Sequence, residues 1–434
     1  MLPDFILNLS PLIKLAVVLA SIVGLMRVKV PMGAALVAGS VLIAFLFPMS
    51  IGEYGSALAG GIFSQQAIFL AFIVGGLLVF SGALNESGQI DRIKDAFLAI
   101  VGRSRLTLVT LPALIGLLPM PGGAIFSAPM VEAAVKDTHL SPTQKTASNY
   151  WFRHIWEYWF PLYPGVILAV GLSGVPAAKY ILLMIPMTLI SLGAGYVVLL
   201  HTIRFENDQP RSWSRKSVGL FFRELSPIFV VVIAVIALAP VGQYLSARFA
   251  PESNLIKQFG VALGIIGGLG WLVVFRGLSY RAIGKLAIKK SVLIMLFLVL
   301  GIVVFQAVFM QSGAVDEINT SFAESGVPMV VVISLVPFVC GLVLGIAVGF
   351  VGSSYPIVVG LLSGMTMGEA LPYFCLAYIM GYMGMMLSPV HLCLVITNQY
   401  FKANLAKAYL YLVPLALFSG LCGTGLFFLY RAIM

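Results

Sequence analysis

The sequence predicts an all-α polytopic membrane protein of about ten transmembrane helices plus two re-entrant hairpins, arranged as two inverted-topology repeats. Three observations predict it. Hydrophobic residues fill 60% of the 434 positions and charged residues 10%, with a mean hydropathy of +1.04; soluble domains run near 45–50% and about 25%. Apolar runs long enough to cross a bilayer core of about 30 Å recur along the chain. The chain also repeats itself: Val79, Phe80, Ser87, Gly88, Asp91 and Ile93 return as Val304, Phe305, Ser312, Gly313, Asp316 and Ile318, at a constant offset of 225. The same offset relates Gly116 to Gly341 and Pro164 to Pro389. An internal repeat in so apolar a chain points to a transporter whose site lies where the repeats meet.

In the first half, full spans are expected near 12–26, 32–47 and 62–84, followed by a polar amphipathic stretch near 89–101. The first span lacks the basic flank and small-residue cleavage site of a signal peptide, so it reads as a permanent membrane helix. Two short apolar arms, 106–118 and 124–134, flank Pro119-Met-Pro-Gly-Gly123. Neither arm is long enough to cross alone, and the pair reads as a re-entrant hairpin. A helix interrupted at Phe160-Pro-Leu-Tyr-Pro-Gly165 and a last span at 177–200 complete the half.

The second half repeats this order. Spans are expected at 225–245, 260–275 and 292–310, and a polar stretch at 315–325. A hairpin follows at 329–362 with its tip at Gly349-Phe-Val-Gly-Ser-Ser-Tyr-Pro356, then a helix broken at Leu387-Ser-Pro389 and a last span at 405–430. Each half crosses five times. Because five is odd, the second half is inverted relative to the first.

The charges agree with this count. Of the 26 Lys and Arg, 20 fall on one side of a ten-crossing topology. The positive-inside rule makes that side cytoplasmic, which places the protein in the cytoplasmic (inner) membrane with both termini outside. The formal charge of +10 is therefore topological, and nucleic acid is not an expected partner; the lipid bilayer is. Cys340, Cys375, Cys393 and Cys422 all lie in apolar segments without C-x-x-C spacing, which argues against a disulfide framework or a metal site. There is no G-x-S-x-G, H-E-x-x-H or Walker A sequence, so an enzyme is not expected and energy must come from a gradient.

Broken helices and hairpin tips are costly in lipid and persist where they line a cavity or bury against protein. The candidate solute-binding residues therefore lie at the four breaks. Gly122 and Gly123 let backbone approach a ligand closely, Ser127 adds a hydroxyl, and Ala124 opens a half-helix with a positive dipole end. Gly352, Ser353 and Ser354 are expected at the second tip. Pro164 suits the first turn of a half-helix, Ser388-Pro389 reads as N-cap and N1, and His391 lies just beyond. Four converging half-helix N-termini favour an anion. The packing alternative for the glycines is close helix contact.

Ionisable residues inside spans are candidates for coupling. Arg153 and Glu157, four apart, are expected to share a helix face as an ion pair beside His154. Their alternative role is to anchor the helix near the cytoplasmic surface. Thr397 and Asn398 are weaker coupling candidates. Trp151, Trp156, Tyr158 and Trp159 are expected to form an interfacial belt. No cofactor is expected beyond Na⁺ or H⁺ as coupling ion; Na⁺ would sit at the hairpin tips, and a proton on His154, Glu157 or His391.

Two hairpins followed by two broken helices in inverted halves resemble the ion transporter superfamily, which includes the divalent anion/sodium symporters and the gluconate and arsenite permeases. The closest likeness is to an integral-membrane branch without an assigned function. It rests on Leu118-Pro-Met-Pro-Gly-Gly-Ala-Ile-Phe-Ser-Ala-Pro-Met130 and Leu387-Ser-Pro-Val-His-Leu-Cys-Leu394. The resemblance implies a homodimeric elevator. Scaffold parts would occupy 1–104 and 225–327, transport parts 105–201 and 328–434, and a cytoplasmic linker 202–224. The Ser-Asn-Thr tip signatures of the dicarboxylate symporters are absent, with Gly122-Gly123 and Ser353-Ser354 in their places. The expected function is secondary active transport of a small anionic solute, an organic carboxylate, coupled to Na⁺ or H⁺. The alternatives are a cation/proton antiporter without organic substrate and a non-transporting membrane receptor or scaffold.

Overall fold

The structure, a computed structural model, describes residues 9–100, 105–117, 123–135, 140–201, 214–249, 256 and 259–434. Among these the fold is all helix, with no strand. Five helices are long and apolar enough to cross a membrane, or six if the bent pair Arg215–Glu224 and Ser226–Ala237 forms one span. This is a multi-pass membrane protein.

The first half contains α1 (Pro11–Arg27), α2 (Met32–Leu46), α3 (Ile51–Ile62), α4 (Gln65–Glu86), α5 (Gln89–Leu98), α6 (Arg105–Leu117), α7 (Ala124–Ala134), α8 (Pro142–Arg153), α9 (Pro164–Ser173) and α10 (Ala177–Gly195). Next come α11 (Arg215–Glu224), α12 (Ser226–Ala237), α13 (Ala239–Phe249), α14 (Phe259–Arg276) and α15 (Tyr280–Ala287). The chain ends with α16 (Lys290–Gln311), α17 (Ala314–Ser325), α18 (Met329–Leu344), α19 (Ala347–Leu361), α20 (Met367–Met386), α21 (Leu392–Tyr400) and α22 (Leu405–Ile433).

Seven consecutive elements recur. Helices α4 to α10 begin at 65, 89, 105, 124, 142, 164 and 177, and α16 to α22 begin at 290, 314, 329, 347, 367, 392 and 405. The caps recur too. Gly88 and Gly313, both left-handed, turn the chain after the long helices α4 and α16. Glycine adopts that conformation without a Cβ penalty. Helices α8 and α20 both open with a capping box, Ser141 with Gln144 and Thr366 with Glu369. Each box satisfies amide donors that the first turn leaves free.

Gly116 and Gly341 show what the repeat is for. A Cβ on Gly116 would collide with the carbonyl of Arg153, and one on Gly341 with the carbonyl of Gly381. In both halves the first hairpin arm thus lies backbone-to-backbone on the helix that later breaks. The halves also exchange contacts: α9 packs on α19, and α21 packs on α7 and α8. Each half-helix after a break rests on the other half's hairpin.

The hairpin in the second half differs from expectation. Its turn is Gly345-Ile346, with Gly345 left-handed at φ +66°. Gly349 to Pro356 lie inside α19 instead. Gly345 supplies the positive φ that closes α18, while the small residues further on serve packing. A Cβ on Gly352 would press into Ile302 of α16 at 2.7 Å.

Candidate functional site

The first break is written by two prolines. Pro161 and Pro164 push Phe160 and Tyr163 out of helical geometry, because a residue before proline is driven to extended backbone. Tyr163 has φ −90° and ψ 123°, and Pro164 then occupies N1 of α9. Helix α8 has already ended at Arg153, and residues 154–163 cross in turns. The second break spans 387–391. It is closed by the His391 amide donating to the Ser388 carbonyl at 3.2 Å. Pro389 sits second in this turn, where its fixed φ is suited. His391, not Ser388, is the N-cap of α21, and Leu392 is N1. The expected N-cap role of Ser388-Pro389 is thus corrected, since a turn consumes the proline before the helix begins.

Backbone carbonyls at each break accept from tyrosine hydroxyls, three of which come from the other half. Tyr378 and Tyr382, one turn apart on α20, donate to the carbonyls of Glu157 (2.9 Å) and His154 (2.5 Å). In return Tyr150 of α8 donates to the Met386 carbonyl at 3.1 Å, while within the second half Tyr409 of α22 donates to Leu387 at 2.9 Å. Tyr163 donates to the Gly116 carbonyl. A buried unpaired carbonyl costs about 1–3 kcal/mol, so these hydroxyls make the breaks tenable.

Arg153 lies at the crossing, 4% exposed. Its Nη1 donates to Cys393 Sγ at 2.8 Å and stands 3.5 Å from His154 Nε2. Its other side presses on Gly123, the N-cap of α7, where a Cβ would come within 2.5 Å of Nη2. Cys393, in the first turn of α21, also accepts from the Ala124 amide at the start of α7. The guanidinium therefore sits between the N-termini of two half-helices, one from each half. His154 Nδ1 is 2.6 Å from the Tyr150 carbonyl, which fixes the proton there and leaves Nε2 as an acceptor. Glu157 Oε1 is 3.8 Å from that Nε2. The His391 ring packs edge-on against His154 with centroids 4.9 Å apart.

Several buried polar atoms near this crossing have no hydrogen-bond partner: Ser127 Oγ on α7, Ser388 Oγ in the second break, and Asn149 Oδ1 on α8. Asn149 uses its amide nitrogen to reach Thr397 Oγ1 of α21 at 3.2 Å. The second hairpin turn meets the same place, for a Cβ on Gly345 would lie 2.8 Å from Ser388 Oγ and 3.0 Å from the His391 amide. A cleft of about 220 Å³ opens beside it, lined by Val23, Met26, Arg27, Val343, Leu344 and Val390.

Residues 8–424 match the model of a family described as Protein of unknown function (DUF401). The chain belongs to that family. No curated protein matches it. Among solved structures it is similar to the crystal structure of the YdaH transporter of Alcanivorax borkumensis. The two share 14% identity over 87% of this chain and 88% of that one, with a TM-score of 0.54. At that identity the likeness is one of fold, a membrane-transporter fold, and it fits the broken and short helices described above.

The structure brings together Gly123, Arg153, His154, Glu157, Ser388 and His391 of the residues singled out from sequence, with Thr397 tied in through Asn149. Gly122 lies outside the described residues. Ser127 is buried one turn into α7. Pro164 starts α9, where Gly165 packs against Ala347. Gly352, Ser353 and Ser354 are not at a tip. The Ser353 and Ser354 hydroxyls bond back to the carbonyls of Gly349 and Phe350, at 2.8 and 2.6 Å. Asn398 is half-buried with a carbonyl oxygen that has no partner. Arg153 and Glu157 do not share a helix face, since the helix ends at Arg153 and Glu157 belongs to the turns.

The residues expected to form an aromatic belt have partners within the protein. Trp151, Trp156 and Trp159 donate to Ser191 O (2.9 Å), Ala113 O (2.9 Å) and Thr188 Oγ1 (2.8 Å), and Tyr158 pairs with Ser191 Oγ. They fasten the break to α10 and α6, Trp151 and Tyr158 buried and Trp156 and Trp159 half-buried. Sequence reasoning passed over Tyr150, Tyr378, Tyr382 and Cys393. The signal was there in Tyr378 and Tyr382, four apart on one face of a largely apolar helix.

Proposed function

We propose that this protein is a secondary active transporter for a small anionic solute, an organic carboxylate, in the cytoplasmic membrane. The observation that carries the reading is the Arg153 guanidinium buried between the starts of α7 and α21. Each helix N-terminus carries roughly +0.5 charge. With the guanidinium this makes a strongly positive seat, in which Glu157 is the neighbouring carboxylate among the described residues. An anion suits such a seat. The partnerless hydroxyls of Ser127 and Ser388 offer donors for its oxygens.

In this reading the two halves are inverted repeats, and ten crossings place both termini outside. Parts 105–201 and 328–434 move as an elevator against parts 1–104 and 225–327 in a homodimer. The cleft at Arg27 and Val390 is the solute's way toward the second hairpin turn. Coupling is to Na⁺ or H⁺. The proton is favoured by the His154–Glu157 approach of 3.8 Å beside the solute seat, and by the break carbonyls already engaged by tyrosines.

A thermal-shift screen of carboxylates and inorganic anions on the purified protein, with and without Na⁺ and across mildly acidic to mildly basic pH, tests this. Stabilisation by at least one carboxylate supports the reading. Stabilisation by no anion in the panel contradicts it.

A further inference from the structure

We propose that His154, His391 and Cys393 form a binding site for one zinc-class divalent cation at the crossing of the two broken helices. The three side chains come from both halves of the chain. Their ligating atoms all lie within 4.8 Å of one another, and all three residues are buried. In a tetrahedral zinc site, bonds of about 2.0–2.3 Å put neighbouring ligand atoms somewhat more than 3 Å apart. Small side-chain rotations close the difference.

The imidazoles are already oriented as metal ligands are. His154 Nδ1 is 2.6 Å from the Tyr150 carbonyl and His391 Nδ1 is 3.4 Å from the Met385 carbonyl. A histidine that ligates metal through one nitrogen characteristically ties the other to such an acceptor. Two imidazoles and a thiolate are donors that select zinc over magnesium or calcium. Glu157 Oε1, 3.8 Å from His154 Nε2, stands near the remaining coordination position.

Arg153 reaches into this donor set. Its Nη1 touches both Cys393 Sγ and His154 Nε2. A tethered cation thus fills a cation's seat, and metal binding exchanges one for the other. The thiol proton of Cys393 leaves to solvent as the sulfur–metal bond forms, and the guanidinium withdraws from the sulfur. The site requires no transported solute, so its test is separate from that of the anion reading.

The experiment is titration of the purified, reduced protein with Co²⁺ as a zinc probe, followed by absorption and then by competition with Zn²⁺. One equivalent is expected to give tetrahedral d–d bands and a sulfur-to-cobalt charge-transfer band. Cys393→Ser removes the charge-transfer band, while Cys340→Ser and Cys375→Ser retain it. His154→Ala and His391→Ala each weaken binding by more than about tenfold. Arg153→Gln, which removes the competing cation, tightens it. Wild-type protein without these bands overturns the site, as does a charge-transfer band that survives Cys393→Ser. Binding that Arg153→Gln leaves unchanged or weakens overturns the exchange. Size-exclusion profiles matching wild type show that the variants are folded.

Discussion

The Tyr382 hydroxyl on one broken helix donates to the His154 carbonyl on the other, 2.5 Å away. A break in one half is therefore capped by a side chain from the other, and the relationship runs both ways through Tyr150 and Met386. The two interruptions form one structure. Neither is tenable in an apolar interior without its opposite number.

The first prediction tests this mutual capping. Tyr382→Phe removes that donor and leaves the His154 carbonyl to the Glu157 amide alone, a loss of about 0.5–1.5 kcal/mol. A lower thermal midpoint in detergent is expected, with a smaller loss for Tyr409→Phe, whose hydroxyl is only partly buried. An unchanged midpoint for Tyr382→Phe would show that the hydroxyl is not needed to hold the break.

Serines supply a contrast. Ser127 and Ser388 have hydroxyls without partners, whereas those of Ser353 and Ser354 are bonded within α19. Ser127→Ala and Ser388→Ala are expected to leave stability unchanged and to weaken anion binding severalfold. Ser353→Ala and Ser354→Ala are expected to leave anion binding unchanged. Thermal midpoints with and without anion check both, and a reversed pattern would place the solute at Ser353 and Ser354 instead.

Much of the architecture was legible because it is written in spacing. The offset of 225 aligned Gly116 with Gly341, and the structure gives both the same backbone contact. Pro161 and Pro164 announced the first break, since proline acts locally. The second hairpin turn was misplaced because Gly349, Gly352, Ser353 and Ser354 look like a loop, yet small residues also let helices approach closely. Gly345, one left-handed residue, was the true signal. The partners of the tryptophans were not legible for a related reason: an indole suits a membrane interface and a buried carbonyl equally well, and only packing shows which acceptor it meets. Arg153 and Cys393, 240 positions apart, could meet only through the tertiary fold.

Glycine 123 gives a third prediction. Its Cβ position is taken by the Arg153 guanidinium. Gly123→Val is expected to displace that group, leaving membrane insertion intact and abolishing anion-induced stabilisation. Insertion assays and thermal shift on the same preparation check it, and normal anion stabilisation in the variant would refute the placement of the solute.

A fourth prediction concerns Glu224. Glu224, at the end of α11, accepts from Gln89 of α5 at 3.0 Å and pairs with Arg276 of α14, so one carboxylate joins both halves. Burial pushes its carboxyl up, but Gln89, Arg223 and Arg276 outweigh burial and hold it below the usual carboxylate value. A depressed carboxyl contributes stability above its unfolded pKa, about 4.3, and loses it as pH falls through the folded value. Wild type is therefore expected to lose more stability on acidification below about pH 4 than Glu224→Gln does. Equal acid profiles would show that the clasp contributes nothing.

The central claim is that Arg153 holds the anion. Isothermal titration of wild-type protein and Arg153→Gln with the anion that most stabilises the wild type tests it most directly. The account predicts saturable binding to the wild type and a loss of at least about tenfold in affinity for the variant, the worth of one charge-assisted contact. Equal affinity in the two proteins would contradict it.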